Sequence, residues 1–202
     1  TRSSTVSWAR KMCIRDSPKH VGRFWQPLAG WWGHIAPFDF SPDYVPSSSI
    51  TRFQCGTQPI LSLLALECGV DGFLAAQELG GMHALREKSL ALTDLFMRLV
   101  DERLTPYGIS IVTPREPEGR GSQVGLVARE GAYEIIQALA ARGVVGDFRA
   151  GDGEQYPDIL RFGFTPLYLG FSDVWSAVDH FHKVMQTEEW RYSRFAHKNA
   201  VT

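Results

Sequence analysis

Apolar residues recur at helical spacing through the middle of this chain and at strand spacing beyond it. Ile60, Leu63, Leu64 and Leu66 follow Thr57 and Pro59, a hydroxyl suited to cap a helix and a proline suited to its first turn. This spacing predicts a helix that runs to about Cys68 and stops at Gly69. A second, short helix is predicted over 72–79, and Gly80-Gly81 sets it apart from a long one over 82–104. In that long helix Leu85, Leu92, Phe96, Leu99 and Arg103 share a face, while Arg86, Glu87, Lys88 and Asp94 lie mostly elsewhere. Past Pro106 the pattern shortens to strands at 109–113 and 123–128, a helix at 132–141 closed by Gly143, strands at 144–148 and 160–164, and a last helix at 173–185. That helix turns Val174, Ala177, Val178, Phe181, Val184 and Met185 inward. The order β-β-α-β-β-α predicts a small α/β domain with helices on one face of a mostly antiparallel sheet.

The rest of the chain is organised around this domain. Residues 18–49 are aromatic and rich in Pro and Gly, with Pro27, Pro37, Pro42 and Pro46 breaking any long helix, and read as ordered loop. Residues 1–17 follow neither helical nor strand periodicity and read as an unrelated leader; their Arg and Ser content resembles a mitochondrial presequence only superficially, because no amphipathic stripe accompanies it. The expected division is therefore a leader over 1–17, part of a larger domain over 18–80, a linking helix over 81–104, the small C-terminal α/β domain over 105–190 and a tail over 191–202.

Composition narrows the function classes. With 44% hydrophobic and 21% charged residues over 202 positions, the chain has a globular composition. Its formal net charge is −1 and its charged residues are evenly spread, so no nucleic-acid or anionic-membrane partner is expected. Cys13, Cys55 and Cys68 form no C-x-x-C pair, and their odd count suits reduced thiols and a cytoplasmic location. No run approaches the roughly 18 consecutive apolar residues of a membrane span, and the first residues lack an apolar signal core.

Two clusters of residues carry chemistry. Leu28-Ala29-Gly30-Trp31-Trp32-Gly33-His34 offers indole N–H donors between glycines that let backbone approach a ligand, and Phe53-Gln54-Cys55-Gly56-Thr57-Gln58-Pro59 brings a hydroxyl to a helix N-terminus. Together they suit an anionic cofactor group such as a phosphate. Taken singly, an aromatic pair is more often a core plug and Thr57 a plain helix cap. The second cluster is Arg161 within Leu160-Arg161-Phe162-Gly163-Phe164, where a guanidinium in an apolar strand needs a partner. That partner is either a bound carboxylate or an internal acid, Asp147 or Asp152. Asp147 and Arg149 read as a turn pair. The histidines show no metal-ligand spacing, and neither a Gly-x-Ser-x-Gly elbow nor a phosphate-binding Walker loop is present.

The Trp and Thr segments, with Ala141-Arg142-Gly143-Val144-Val145-Gly146-Asp147-Phe148-Arg149 and Leu160-Arg161-Phe162-Gly163-Phe164-Thr165-Pro166-Leu167-Tyr168, resemble the C-terminal half of the kynureninases, in the same order. The resemblance extends from about His20 to near the end of the chain. It implies the C-terminal part of a fold-type-I enzyme dependent on pyridoxal 5′-phosphate: part of the large cofactor-binding domain, linking helices and the small α/β domain. It implies hydrolysis of L-kynurenine, or its 3-hydroxy form, to the anthranilate and L-alanine, in tryptophan catabolism and the kynurenine pathway towards NAD. By the same resemblance Trp31 and Thr57 would bind the cofactor phosphate of the neighbouring subunit in a homodimer, and Arg161 would bind the substrate α-carboxylate. The family's Schiff-base lysine would fall within residues 1–17, where the only lysine, Lys11, lacks the family's Tyr-Lys-Tyr surroundings. No catalytic residue is therefore assigned, and the chain alone is expected to be inactive. A related lyase of the same fold, and a non-catalytic dimerisation or regulatory module, are the alternative readings.

Overall fold

The computed structural model describes residues 18–197, so the leader read at 1–17, Lys11 with it, and residues 198–202 of the tail lie outside the described residues. Two units are distinguished, Thr1–Gly69 and Val70–Thr202. In the first, a single helical turn, α1 (Pro18–Val21), precedes irregular chain punctuated by one-turn 3-10 helices at Trp31–Gly33 and Ile50–Phe53. The boundary between the units falls within α2 (Ile60–Ala75), which continues as a 3-10 turn over Ala76–Leu79.

Helix α2 differs from its prediction in three ways. It starts at Ile60, where the Pro59 carbonyl accepts from the Leu63 N–H at 3.0 Å, so Thr57 precedes the helix rather than capping it. It runs through Gly69 and Gly72 and stops at Gly80, whose left-handed backbone (φ +100°) ends the rod. Two interior glycines cost roughly 1 kcal/mol each against alanine, too little to break a rod whose other residues favour helix. The third difference follows from the continuity: Ile60–Leu79 is long and apolar enough to cross a membrane by length and composition, and none of that window is buried. Glu67, Asp71 and Glu78 keep the segment from being a run of consecutive apolar residues, as expected, without removing its average hydropathy.

The second unit contains α3 (Gly81–Arg103), β1 (Ile109–Ile111), β2 (Gln123–Ala128), α4 (Ala132–Ala141), β3 (Asp147–Arg149), β4 (Ile159–Gly163) and α5 (Phe171–Gln186). The sheet order is β1-β2-β4-β3, and each neighbouring pair is antiparallel. Alternation along the strands then sorts the faces. Val124 and Leu126 of β2 and Leu160 and Phe162 of β4 are buried together with Leu92 and Phe96 of α3, Ile135 and Leu139 of α4, and Val178 and Phe181 of α5. Burying a side chain of this size contributes roughly 1.5–3 kcal/mol. Gly125, Ile159 and Arg161 alternate with these residues and belong to the opposite face.

β2 and α4 have the predicted bounds, while β3 begins three residues later than the predicted 144–148. The N–H groups of Arg142, Gly143 and Val144 are taken up by carbonyls of Leu139 and Ala140, which close α4 and leave Val144 no free donor for the sheet. The final helix starts at Phe171, two residues early, because Asp173 accepts the Gly170 N–H at 2.7 Å and completes its entry.

Ion pairs fasten the elements around this core. The Arg120 side chain is fully buried; it donates to the Arg115 carbonyl at 2.6 Å and pairs with Asp94 of α3. Arg142 at the end of α4 holds Glu189 through two bonds of 2.6 Å, which keeps the Glu189 carboxyl below its ordinary range. Asp179 of α5 accepts from Lys183 at 2.7 Å and from Arg103 of α3 at 2.9 Å, and these hydrogen bonds lower its carboxyl to about 2.

Two predictions follow from these pairs. Truncating Asp94 strands a buried guanidinium, so Asp94→Ala is expected to cost about 3 kcal/mol in urea denaturation, whereas Arg120→Met, which removes the charge as well, should cost much less. The Asp179 carboxyl ionises more readily folded than unfolded, where its pKa is about 3.9. Its contribution is thus complete above about pH 4 and disappears as the pH falls towards 2. Acid titration followed by circular dichroism should show Asp179→Asn losing less stability than the wild type over that window.

Candidate functional site

In the first unit, backbone packing rather than a ligand explains the glycines beside the tryptophans. A Cβ on Gly30 would sit 1.6 Å from the Cys55 carbonyl oxygen, and one on Gly33 would lie 2.8 Å from the carbonyl oxygens of both Arg52 and Gln54. Expected from sequence to let backbone approach a ligand, these glycines make room for the 52–55 segment. Gly33 is buried, accepts from the Ser47 N–H at 2.9 Å and receives the Tyr44 hydroxyl at 3.3 Å. His34 completes the turn: its Nδ1 accepts from the Ala36 N–H at 2.9 Å, so Nε2 carries the proton and faces the Asp43 carbonyl at 3.1 Å.

This packing brings together the two segments expected to offer phosphate donors. A Cβ on Gly56 would lie 4.0 Å from the Trp31 Nε1, which places the indole donor beside the residue preceding Thr57. Trp31 is 46% exposed and lies tilted against Trp32 with centroids 4.5 Å apart, while Phe38 meets both rings edge-on. Trp32 is the more enclosed of the two, and its Nε1 is buried with no hydrogen-bond partner among the described residues. Thr57 is exposed ahead of α2, whose first N–H groups have no carbonyl within the helix to bond. Trp31 also walls a cavity of about 560 Å³ with Trp25, His34, Phe40 and Tyr44, which Thr57 does not line.

Arg161 belongs to the second unit, on the face of β4 turned away from the helices. Its Nη2 donates to Asp147 Oδ2, directly across the β3–β4 ladder. Of the two internal partners considered from sequence, Asp147 is the one present. Asp152 is engaged elsewhere: its Oδ1 accepts the N–H groups of Glu154, Gln155 and Tyr156 at 3.0, 2.8 and 2.8 Å. These bonds, Tyr156's foremost, lower the Asp152 carboxyl. Asp147 and Arg149 are paired at 2.9 Å, yet both lie in strand β3 rather than in the expected turn. The Arg161 side chain is 36% exposed, so its charge remains accessible to a ligand.

Two features had no signal in the sequence. One is a cavity of about 480 Å³ in the second unit, where Leu85, Arg86, Ser89, Ser122, Phe164 and Tyr168 meet. The other is the use of Arg86, which donates to the carbonyls of Pro117 at 2.6 Å and Arg120 at 3.0 Å and so holds the β1–β2 loop. Both depend on residues more than thirty positions apart, which local periodicity does not report. Among the described residues no cluster of three or more His, Cys, Asp or Glu is placed to hold a metal ion.

Residues 85–181 match the family model described as the kynureninase C-terminal domain. Proteins named kynureninase from Burkholderia mallei (strain SAVP1) and Burkholderia pseudomallei (strain K96243) are each 50% identical over 184 residues, which are 91% of this chain and 42% of theirs. One from Pseudomonas fluorescens is 47% identical over 177 residues, 88% of this chain and 40% of its own. The chain thus spans well under half the length of the curated relatives it matches.

The loop packing makes its own prediction. Gly30→Ala forces a methyl group into the Cys55 carbonyl and should displace Trp31 from Gly56. The expected readout is a red-shifted tryptophan emission with faster proteolysis near residues 50–56, whereas Gly22→Ala, with nothing within 4 Å of its added carbon, should change neither.

Proposed function

We propose that the chain, whose residues 85–181 match the kynureninase C-terminal domain, is part of a kynureninase and so supplies part of a pyridoxal 5′-phosphate enzyme. The reaction is hydrolysis of L-kynurenine, or of 3-hydroxykynurenine, at its Cβ–Cγ bond, giving the anthranilate and L-alanine. The architecture proposed is that of fold type I, with residues from both subunits of a cytoplasmic homodimer at each cofactor.

The observation that carries this reading is the approach of the Trp31 indole nitrogen to Gly56, the residue before Thr57 and four residues ahead of α2. An indole N–H, a threonine hydroxyl and unbonded helix N–H groups would make a neutral donor set suited to a phosphate dianion. Trp31 and Thr57 would hold that phosphate, from the cofactor of the neighbouring subunit. When bound, the cofactor supplies an electron sink for carbanion character at the substrate α-carbon.

Arg161 would bind the substrate α-carboxylate, for which its planar fork is suited. Its position on an open sheet face, with a rigid strand beneath, fixes the direction from which a carboxylate can approach. The 202 residues contain no lysine in the family's Tyr-Lys-Tyr surroundings, so turnover is not assigned to this chain alone.

Titration of the chain with inorganic phosphate and with pyridoxal phosphate, followed by tryptophan emission, tests the donor set. Saturable quenching is expected, abolished in Trp31→Phe and weakened about tenfold in Thr57→Val, as for loss of one hydrogen bond to a charged group. Equal affinity in all three proteins would overturn the assignment.

A further inference from the structure

The face of the sheet turned away from the helices carries a row of three residues in register: Gly125 on β2, Arg161 on β4 and Asp147 on β3. Gly125 has no side chain to support Arg161 from one side. Asp147 supports it from the other, through Nη2, the one hydrogen bond the guanidinium makes among the described residues. Both side chains are partly exposed, but Asp147 is short and rooted in a strand directly across the ladder, whereas Arg161 has a long side chain with more rotatable bonds to fix. The contact engages one nitrogen and leaves Nε and Nη1 free to donate.

We propose that Asp147 is a positioning residue for Arg161: it holds the guanidinium over the sheet so that its unengaged nitrogens meet a substrate carboxylate. This rests on the reading of Arg161 as the carboxylate-binding residue. Arg149 belongs to the same device. It pairs with Asp147 at 2.9 Å and is 61% exposed, so two guanidinium groups share one carboxylate and the cluster keeps a net positive charge. Asp147 therefore orders Arg161 without cancelling the attraction for an incoming anion. Immobilising a long side chain before binding removes an entropic cost that the ligand would otherwise meet.

The alternative role for Asp147 is a competitor that masks Arg161, and the two roles predict opposite signs. The 202-residue chain, labelled with nitrogen-15 at arginine, is titrated with sodium acetate at constant ionic strength while the Arg161 Nε–H resonance is followed. Thermal midpoints are measured on the same proteins. Positioning predicts that Asp147→Ala weakens acetate binding roughly fivefold with an unchanged midpoint, the loss expected when one long side chain must be ordered by the ligand. Asp147→Asn keeps an acceptor oxygen and should bind acetate within about twofold of the wild type, on the same entropic argument.

Tighter binding or unchanged binding in Asp147→Ala overturns the proposal, as does weaker binding accompanied by a matching fall in midpoint. Arg161→Ala, read by whole-protein shifts, separates the premise. If wild type shows no saturable shift, or Arg161→Ala binds acetate as well as wild type does, the carboxylate role of Arg161 fails and this inference fails with it. If Arg161→Ala abolishes binding while Asp147→Ala does not weaken it, only the positioning role is lost.

Discussion

Strand β4 must satisfy two environments at once, and the parity of its residues decides the rest of the sheet. Leu160 and Phe162 face Phe96 and Phe181 in the core, so Arg161 between them has to face away. A slip by one residue would drive the guanidinium into the core and expose two large apolar side chains, each worth roughly 1.5–3 kcal/mol in burial. Burying the unpaired cation would add several kcal/mol more. The register that avoids this also puts Asp147 opposite Arg161 on one side and Gly125 on the other. Core packing therefore locates the charged cluster, and its chemistry inherits the rigidity of the strands beneath it.

The tryptophan loop reaches order by a different route, because the described residues around it have little regular structure to lean on. Its glycines let two irregular segments touch backbone to backbone, with Gly30 on Cys55 and Gly33 between Arg52 and Gln54. Ile35 and Val45 add a main-chain bond of 2.8 Å, and Tyr44 ties both segments through its hydroxyl. The ring pair then has a fixed platform. Trp31 keeps its exposed edge while Trp32 takes the enclosed place, so two adjacent, chemically similar residues acquire different roles from their positions on one helical turn.

How much of this was legible in the sequence depended on whether the governing interaction was local. β2 and α4 had the predicted bounds because their alternation and periodicity match the faces they bury. Val144 and Val145 looked like strand, but local closure of α4 uses the Val144 donor and Val145 is 85% exposed. Gly69 and Gly72 looked like helix ends, and propensity alone could not show that α2 continues through them. At the site, the types of residue were legible: a guanidinium amid apolar neighbours announced a partner. Choosing Asp147 over Asp152 required the β3–β4 register, and the fully buried side chain of Arg120 required knowledge of the distant α3 acid.

Helix α2 shows why sequence pattern and burial part company. α3 and α5 bury one face and leave charged residues on the other, which is the arrangement of a helix lying on a single core. α2 has no such division: Ile60, Leu61, Leu64, Leu66 and Leu74 are exposed around its whole circumference. A helix that is apolar all round needs cover on more than one side. A bilayer is a poor source of that cover, because Glu67 and Asp71 fall in the middle of the rod and each carboxylate at the centre of a membrane costs about 2.5–3.5 kcal/mol. Packed protein is the better match, since it can meet those carboxylates with donors while covering the leucines. The second unit closes its core with its own helices, whereas α2 leaves its apolar side chains exposed.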